Sequence, residues 1–131
     1  TKAPEEDFYH VTSARTSKAL ADRGVMVSIG AHGQREGLAS HWEIWSLVQG
    51  GMSSIEALAA ATIVPAQALG YSDDLGSLVA GMLDYVVLIV ADFVAEVFNS
   101  DWVYLVMVKG RLYDAPTLDE KIWGSRMTQP F

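Results

Sequence analysis

The sequence predicts an α/β fold that contains a strand–loop–helix unit and a β-rich C-terminal part. Residues 25–29 are a short apolar run rich in β-branched residues and bounded by glycines, which is typical of a strand buried on both faces. A glycine-rich loop, residues 30–38, and then two helical patterns follow this run. A long loop between a buried strand and a helix is typical of one step of a (β/α) barrel, where such loops carry the chemistry.

The first half of the chain contains start and stop signals for helices. Thr12 or Ser13 can cap a first helix, and Gly24 predicts its end because glycine just past a helix is the usual left-handed stop. Ser40 and Glu43 have the spacing of a capping box. This spacing predicts that Ser40 caps a second helix, over residues 42–48, and that Glu43 reaches back to it.

A second capping box follows at Ser53 and Glu56 and predicts a third helix over residues 55–63. Pro65 interrupts this helix, because proline lacks the amide hydrogen and clashes with the preceding turn. A further short turn would stop at Gly70.

The second half of the chain is β-rich. Residues 85–90 and 103–108 predict strands, and the turn signal Lys109-Gly110 predicts a hairpin that returns through residues 111–113. Residues 93–98 fit a strand or a helix equally well.

Three segments are therefore expected. They are a helix–strand–loop–helix segment over residues 1–71, a β-rich segment over 72–114 and a tail over 115–131. The tail is predicted to be a loop with a short helix around residues 118–122.

Composition and charge exclude several classes of protein. The chain has 131 residues, which suits one domain, and half of them are hydrophobic, which argues against disorder. A net charge of -7 argues against nucleic acid or an anionic membrane surface as a partner. The absence of cysteine excludes disulfides and thiolate zinc sites.

One segment, residues 77–98, is long and apolar enough to require a membrane check. It contains Asp84, Asp92 and Glu96, each of which is costly in the middle of a bilayer. We therefore predict a soluble protein without a membrane partner. The sequence indicates no compartment.

Six pieces of sequence occur in one order along the chain: GVMVSIG (24–30), GGMSSIEAL (50–58), ATIVPAQALG (61–70), LGSL (75–78), DYVVL (84–88) and VMVKGRLY (106–113). Together they resemble the C-terminal part of amidohydrolase-superfamily enzymes, in the imidazolonepropionase-like and prolidase-like branch. The resemblance implies that residues 25–30 are the last strand of a (β/α)8 TIM-type barrel. It also implies that residues 75–113 belong to a small β-sandwich that members build from both chain ends.

The resemblance also implies a chemistry. Members of this superfamily hydrolyse C–N bonds of amides or cyclic amides with one or two divalent metals, such as zinc, manganese or iron. The metal lowers the pKa of a bound water. Its ligands are an H-x-H pair on the first strand, a carboxylate or modified lysine, two further histidines and an aspartate that ends the eighth strand.

Four residues of this chain are candidates for the site. His32 stands where relatives place the aspartate of the eighth strand, so the resemblance makes it a candidate catalytic residue and metal ligand. The alternative is a loop histidine bonded to the backbone. His10, near the expected end of the seventh strand, is a second candidate metal ligand. Arg35 and Glu36 lie in the loop that would contact a small-molecule substrate, and the alternative for them is an ion pair within the loop.

The chain departs from the superfamily pattern, because it has no H-x-H and only three histidines, and nothing in it matches the earlier barrel strands. Residues 81–91 are also apolar at positions where relatives are polar. Two partners therefore remain open: the missing N-terminal barrel part, or further copies of the chain in a homo-oligomer. The second function hypothesis is a non-catalytic fragment or an engineered assembly module. Such a module would oligomerise through exposed strand edges and need no cofactor.

Overall fold

The computed structural model describes residues 4, 8–33 and 35–121. Within this part the chain forms a mixed α/β structure, as the sequence predicts. Its elements, in chain order, are α1 (Tyr9–Ala21), α2 (Leu38–Gln49), α3 (Ser54–Ala61), α4 (Ile63–Leu69), β1 (Tyr85–Ile89), the 3₁₀ helix η1 (Val97–Asp101), β2 (Val103–Val108) and β3 (Arg111–Asp114). The strands of the described residues pair in one antiparallel sheet, so the barrel stays a prediction.

The predicted start of the first helix is wrong. Helix α1 begins three residues before Thr12, and its N-cap, Phe8, makes no side-chain capping bond. The end is close to its prediction: α1 stops at Ala21, and Gly24 follows with a φ of 83°. Its Val11 and Ala14 are buried.

The predicted capping box of the second helix is also wrong. Helix α2 begins at Leu38 after Gly37, which has a φ of 78° and no side chain to cap with. Ser40 therefore lies inside the helix. Glu43 does not reach back to Ser40 but accepts a hydrogen bond from the backbone amide of Gly30.

The capping box of the third helix is confirmed. The Ser53 hydroxyl accepts from the Glu56 amide at 3.2 Å, and the Glu56 carboxylate accepts from the Ser53 amide at 2.7 Å. Pro65 falls in the first turn of α4, where its missing amide hydrogen costs nothing. Gly70 ends α4 in the predicted left-handed conformation, with a φ of 78°.

The predicted strands and hairpin are confirmed. The sheet has the order β1-β2-β3, with Tyr85 opposite Val108 and an irregularity between Leu88 and Ile89. Lys109 and Gly110 both have positive φ, 51° and 74°, as a type I′ hairpin turn requires.

The structure also decides the predictions for two segments that flank the sheet, residues 93–98 and the described part of residues 118–122. Residues 93–98 are mainly turn and then enter η1, so neither a strand nor an α-helix forms there. The helix predicted around residues 118–122 is wrong for its described part: Glu120 forms a β-bridge with Tyr113 instead, and residue 122 lies outside the described residues.

The buried strand predicted at residues 25–29 does not form. This segment joins no β-ladder. Its last residue, Ile29, donates its amide to the Ala60 carbonyl at 3.0 Å. Val27 and Ile29 pack against the core, whereas Met26 is 60% exposed. A parallel strand needs a parallel neighbour to pair with, and the strands of the described residues pair only with one another, antiparallel.

The core is small and lies between the helices and this segment. The buried members of its cluster are short or flexible side chains: Leu47, Met52, Ala57 and Ala60. No large side chain of the described residues is fully buried. By contrast, Leu78, Val79 and Val90 are 83%, 64% and 65% exposed. Among the described residues there is no helix of the length and apolarity needed to span a membrane.

Candidate functional site

The candidate site is the loop that joins residues 25–29 to α2. Its His32 and Arg35 are exposed and have φ values of 53° and 55°. Left-handed backbone is uncommon for residues other than glycine, and it is concentrated at functional sites. The described residues of the loop therefore present a histidine and an arginine to solvent from left-handed backbone positions.

Both ends of this loop are bonded to α2. The amide of Gly30 donates to Oε2 of Glu43 at 2.6 Å. At the other end, the carbonyl of Arg35 accepts from the amides of Leu38 and Ala39 at 3.1 and 3.0 Å. Because the preceding Ile29 is bonded to α3, the start of the loop is held between two helices.

Two clefts lie beside the loop and share Glu43 and Ser46. One, of about 390 Å³, lies between α1, residues 27–29 and α2, and hydroxyl groups and His10 line much of it. The other, of about 220 Å³, is lined by Ala31, Arg35, Ala39, Trp42, Glu43 and Ser46. Arg35 thus faces a cleft with an aromatic wall and a carboxylate.

The four candidate residues do not form one cluster. His10 lies on α1, where Nε2 is 3.1 Å from Oε1 of Gln49 and the ring packs against Phe8 at a centroid distance of 5.7 Å. Glu36 is exposed in the loop. Ion pairs of the described residues all lie outside the loop, so the alternative of an Arg35–Glu36 pair is not observed.

The described residues do not complete a metal site. They contain no group of three or more His, Asp or Glu side chains that could hold a metal ion. A catalytic zinc site needs about three protein ligands. The residues present therefore do not fit a metal by themselves, and we derive no reaction step through one.

A buried polar network that the sequence did not predict joins α2 to η1. The Trp45 indole donates to Oγ of Ser100 at 2.9 Å, and Nδ1 of His41 lies 3.1 Å from the same oxygen. Ser100 is only 3% exposed. Burial lowers the pKa of His41, against the opposing charge of Asp101.

This Ser100–His41 pair does not have the features of a hydrolase nucleophile. Ser100 is enclosed, and its oxygen already accepts the indole hydrogen of Trp45, which itself packs on Phe98 at a centroid distance of 5.3 Å. The spacing of His41 and Trp45, one helical turn apart, is the signal in the sequence that places both on one face. The network is structural.

Comparison with known proteins identifies the family. The model of the amidohydrolase family matches residues 6–113. The chain belongs to the amidohydrolase family. This confirms the resemblance drawn from the sequence pieces between residues 24 and 113. The comparison with curated proteins gave no match.

Solved structures of amidohydrolase-type enzymes have the same local fold. A Xaa-Pro dipeptidase, solved with methionine bound in the active site, is 25% identical and superposes with a TM-score of 0.70 over 77% of this chain. An amidohydrolase is 29% identical, with a TM-score of 0.66 over 77% of the chain. A molinate hydrolase is 27% identical, with a TM-score of 0.59 over 87% of the chain.

In each of these comparisons the chain spans only 25% of the other protein's length. The chain therefore corresponds to a segment about a quarter as long as each of these proteins. This fraction is consistent with a portion of a larger enzyme.

Proposed function

We propose that this chain is the C-terminal portion of a metal-dependent hydrolase that cleaves the C–N bond of an amide or cyclic amide. The observation that carries the proposal is the family match over residues 6–113 together with the 25% coverage of the solved hydrolases. An N-terminal part would supply the remaining strands of a barrel and most of the metal ligands. A divalent metal such as zinc, manganese or iron would supply the activated water.

Within this proposal, the loop is the contribution of this chain to the active site. His32 is exposed in this loop, and a histidine ring nitrogen is a common ligand of zinc, iron and related metals. His10 is the second candidate ligand. Arg35 lines the cleft next to Trp42, where its guanidinium would bind a carboxylate of the substrate, and Glu36 is the further candidate contact.

Several strongly exposed apolar side chains support a missing N-terminal part. Leu78, Val79 and Val90 leave large apolar areas in water, although soluble proteins rarely expose extended apolar patches. A second copy of the chain could also cover them. The N-terminal part is favoured because each solved relative extends far beyond the matched segment.

The test is hydrolysis by the longer polypeptide that contains this chain. The coding region upstream of residue 1 is sequenced and the full product is assayed with a panel of amides and cyclic amides. We expect an upstream H-x-H motif, metal-dependent hydrolysis, and loss of activity in H32A. H41N is the matched control, because His41 lies outside the loop and asparagine retains a hydrogen-bonding side chain next to Ser100.

Two outcomes would contradict the proposal. The first is an upstream sequence without H-x-H, and the second is hydrolysis at an unchanged rate in H32A. If this chain instead forms stable homo-oligomers by light scattering and no active longer form exists, the assembly-module hypothesis replaces the hydrolase.

A further inference from the structure

Glu43 makes a contact that the proposed function does not use. Its Oε2 accepts the amide of Gly30 at 2.6 Å, across 13 residues of sequence. Hydrogen bonds to an ionised carboxylate are shorter and about twice as strong as neutral ones. Since Gly30 precedes His32 by two residues, this bond fixes the backbone from which the His32 side chain projects.

The loop beyond this bond has a backbone that needs support. His32 and Arg35 both take left-handed conformations, which a free chain of such residues disfavours. Unfavourable conformations persist only where their surroundings determine them strongly. The Arg35 carbonyl is bonded to the start of α2, and Glu43 on the same helix holds the opposite end.

We infer that Glu43 is a positioning residue for this loop. It fixes the placement of His32 and Arg35 by bonding the Gly30 amide, without itself contacting a substrate. Its carboxylate also forms part of the wall of the cleft that Arg35 lines, so loop and cleft are set by one helix. The catalytic meaning of this role rests on the proposed function, whereas the attachment of the loop does not.

The test compares three substitutions of Glu43 in the 131-residue chain by NMR. In E43A, we expect the Gly30 amide to exchange with solvent about tenfold faster, because its acceptor is lost. The backbone order of His32 and Arg35, from ¹⁵N relaxation, should fall at the same time. E43Q should restore most of both values, since its amide oxygen accepts the same N–H in a weaker neutral bond, whereas the shorter E43D should not.

The matched control is S46A. Ser46 lies one turn further along α2 and lines the same clefts, so its loss changes the cleft wall but not the bond to Gly30. We expect wild-type exchange at Gly30 and wild-type loop order in this variant. If E43A does not fold, E43Q and E43D together still provide the comparison.

Unchanged exchange and loop order in E43A would overturn the inference, and so would failure of E43Q to restore them. These measurements use this chain alone, without substrate or metal. An inactive longer polypeptide would therefore overturn the proposed function and leave the positioning role standing. In an active longer polypeptide, E43A should lower kcat and E43Q should recover it.

Discussion

The hydroxyl of Ser100 joins two segments that are distant in the sequence. This buried hydroxyl accepts from the Trp45 indole and lies within hydrogen-bond distance of His41 Nδ1, so it links the second helix to the segment in front of β2. No sequence pattern indicates this residue, since a serine in NSD looks like an ordinary turn residue. Only the tertiary structure brings residues 41 and 100 together.

Removing this hydroxyl should destabilise the fold. In S100A the indole N–H of Trp45 and Nδ1 of His41 lose their partner, which costs about 1–3 kcal/mol for groups removed from water. Urea unfolding measures the difference. The matched control is S77A at an exposed serine, which should stay within about 0.5 kcal/mol of wild type. Equal stability of S100A and S77A would show that the network contributes nothing.

The stability of the chain should also depend on the protonation of His41. Burial lowers its pKa in the folded state below the ordinary 6.5. As the pH falls below 6.5, the unfolded chain therefore takes up a proton that the folded chain binds less readily. The stability that the neutral His41 contributes is therefore complete above pH 6.5. It is lost as the pH falls from 6.5 through the lowered pKa of His41 in the folded state.

The measurement is urea unfolding between about pH 7.5 and pH 5.5, where histidine titrates. Wild type should lose stability across this range, and H41N, which retains a hydrogen-bonding side chain, should lose less. The two exposed histidines stay in both proteins and cancel in the comparison. An identical pH dependence in H41N would exclude His41 as the cause.

The elements that the sequence predicts correctly are those determined by neighbouring residues. The Ser53–Glu56 capping box and the Lys109-Gly110 turn form as expected, because every group involved lies within four residues. The predictions that fail depend on distant contacts. Glu43 bonds Gly30 instead of its own helix start, and residues 25–29 lack the neighbours that a parallel strand requires.

The same distinction between local and distant contacts applies to the candidate site. The loop and its His32 could be found from the glycines and the resemblance, because both are properties of the local sequence. The bond between Glu43 and Gly30 and the contact between His10 and Gln49 could not be found in this way, because each joins residues that are distant in sequence.

The packing of α1 on α2 depends on the small size of Gly50. A Cβ built at this position would lie 2.4 Å from the backbone carbon of Ala14, closer than any relaxed contact. The φ of Gly50 is -77°, so an alanine there is unfavourable for steric reasons alone. The two helices can approach this closely only over a glycine.

G50A should therefore destabilise the chain by about 1–3 kcal/mol, as overpacking of a core does. Thermal or urea unfolding measures this. G30A is the matched control, because a Cβ at Gly30 meets nothing within 4 Å. The double variant G50A/A14G should not recover stability, since the nearest clash is with the backbone of Ala14. Recovery in the double variant would place the clash in the side chain instead.

The molecule as a whole has a small core and a large apolar surface. Half of the buried apolar residues in the described part are alanines, while long side chains such as Leu78 and Leu69 remain largely in water. A 131-residue domain that folds alone would be expected to bury most of its large apolar side chains. This distribution agrees with a segment whose apolar surfaces are completed by the rest of an amidohydrolase-family enzyme.

The described residues do not form a complete metal site, and this predicts the metal content of the chain. Because the described residues bring together no three potential ligands, the chain purified without chelator should hold less than about a tenth of an equivalent of zinc, manganese or iron. The longer polypeptide should hold about one or two equivalents, and added metal should raise its unfolding temperature, since a ligand that binds only the folded state stabilises it. Inductively coupled plasma analysis and thermal unfolding of both proteins provide the comparison, with H32A as the variant that lowers the metal content of the longer form. A full equivalent of metal in this chain alone, abolished by H32A, would show instead that the His32 loop builds a complete site without the N-terminal part.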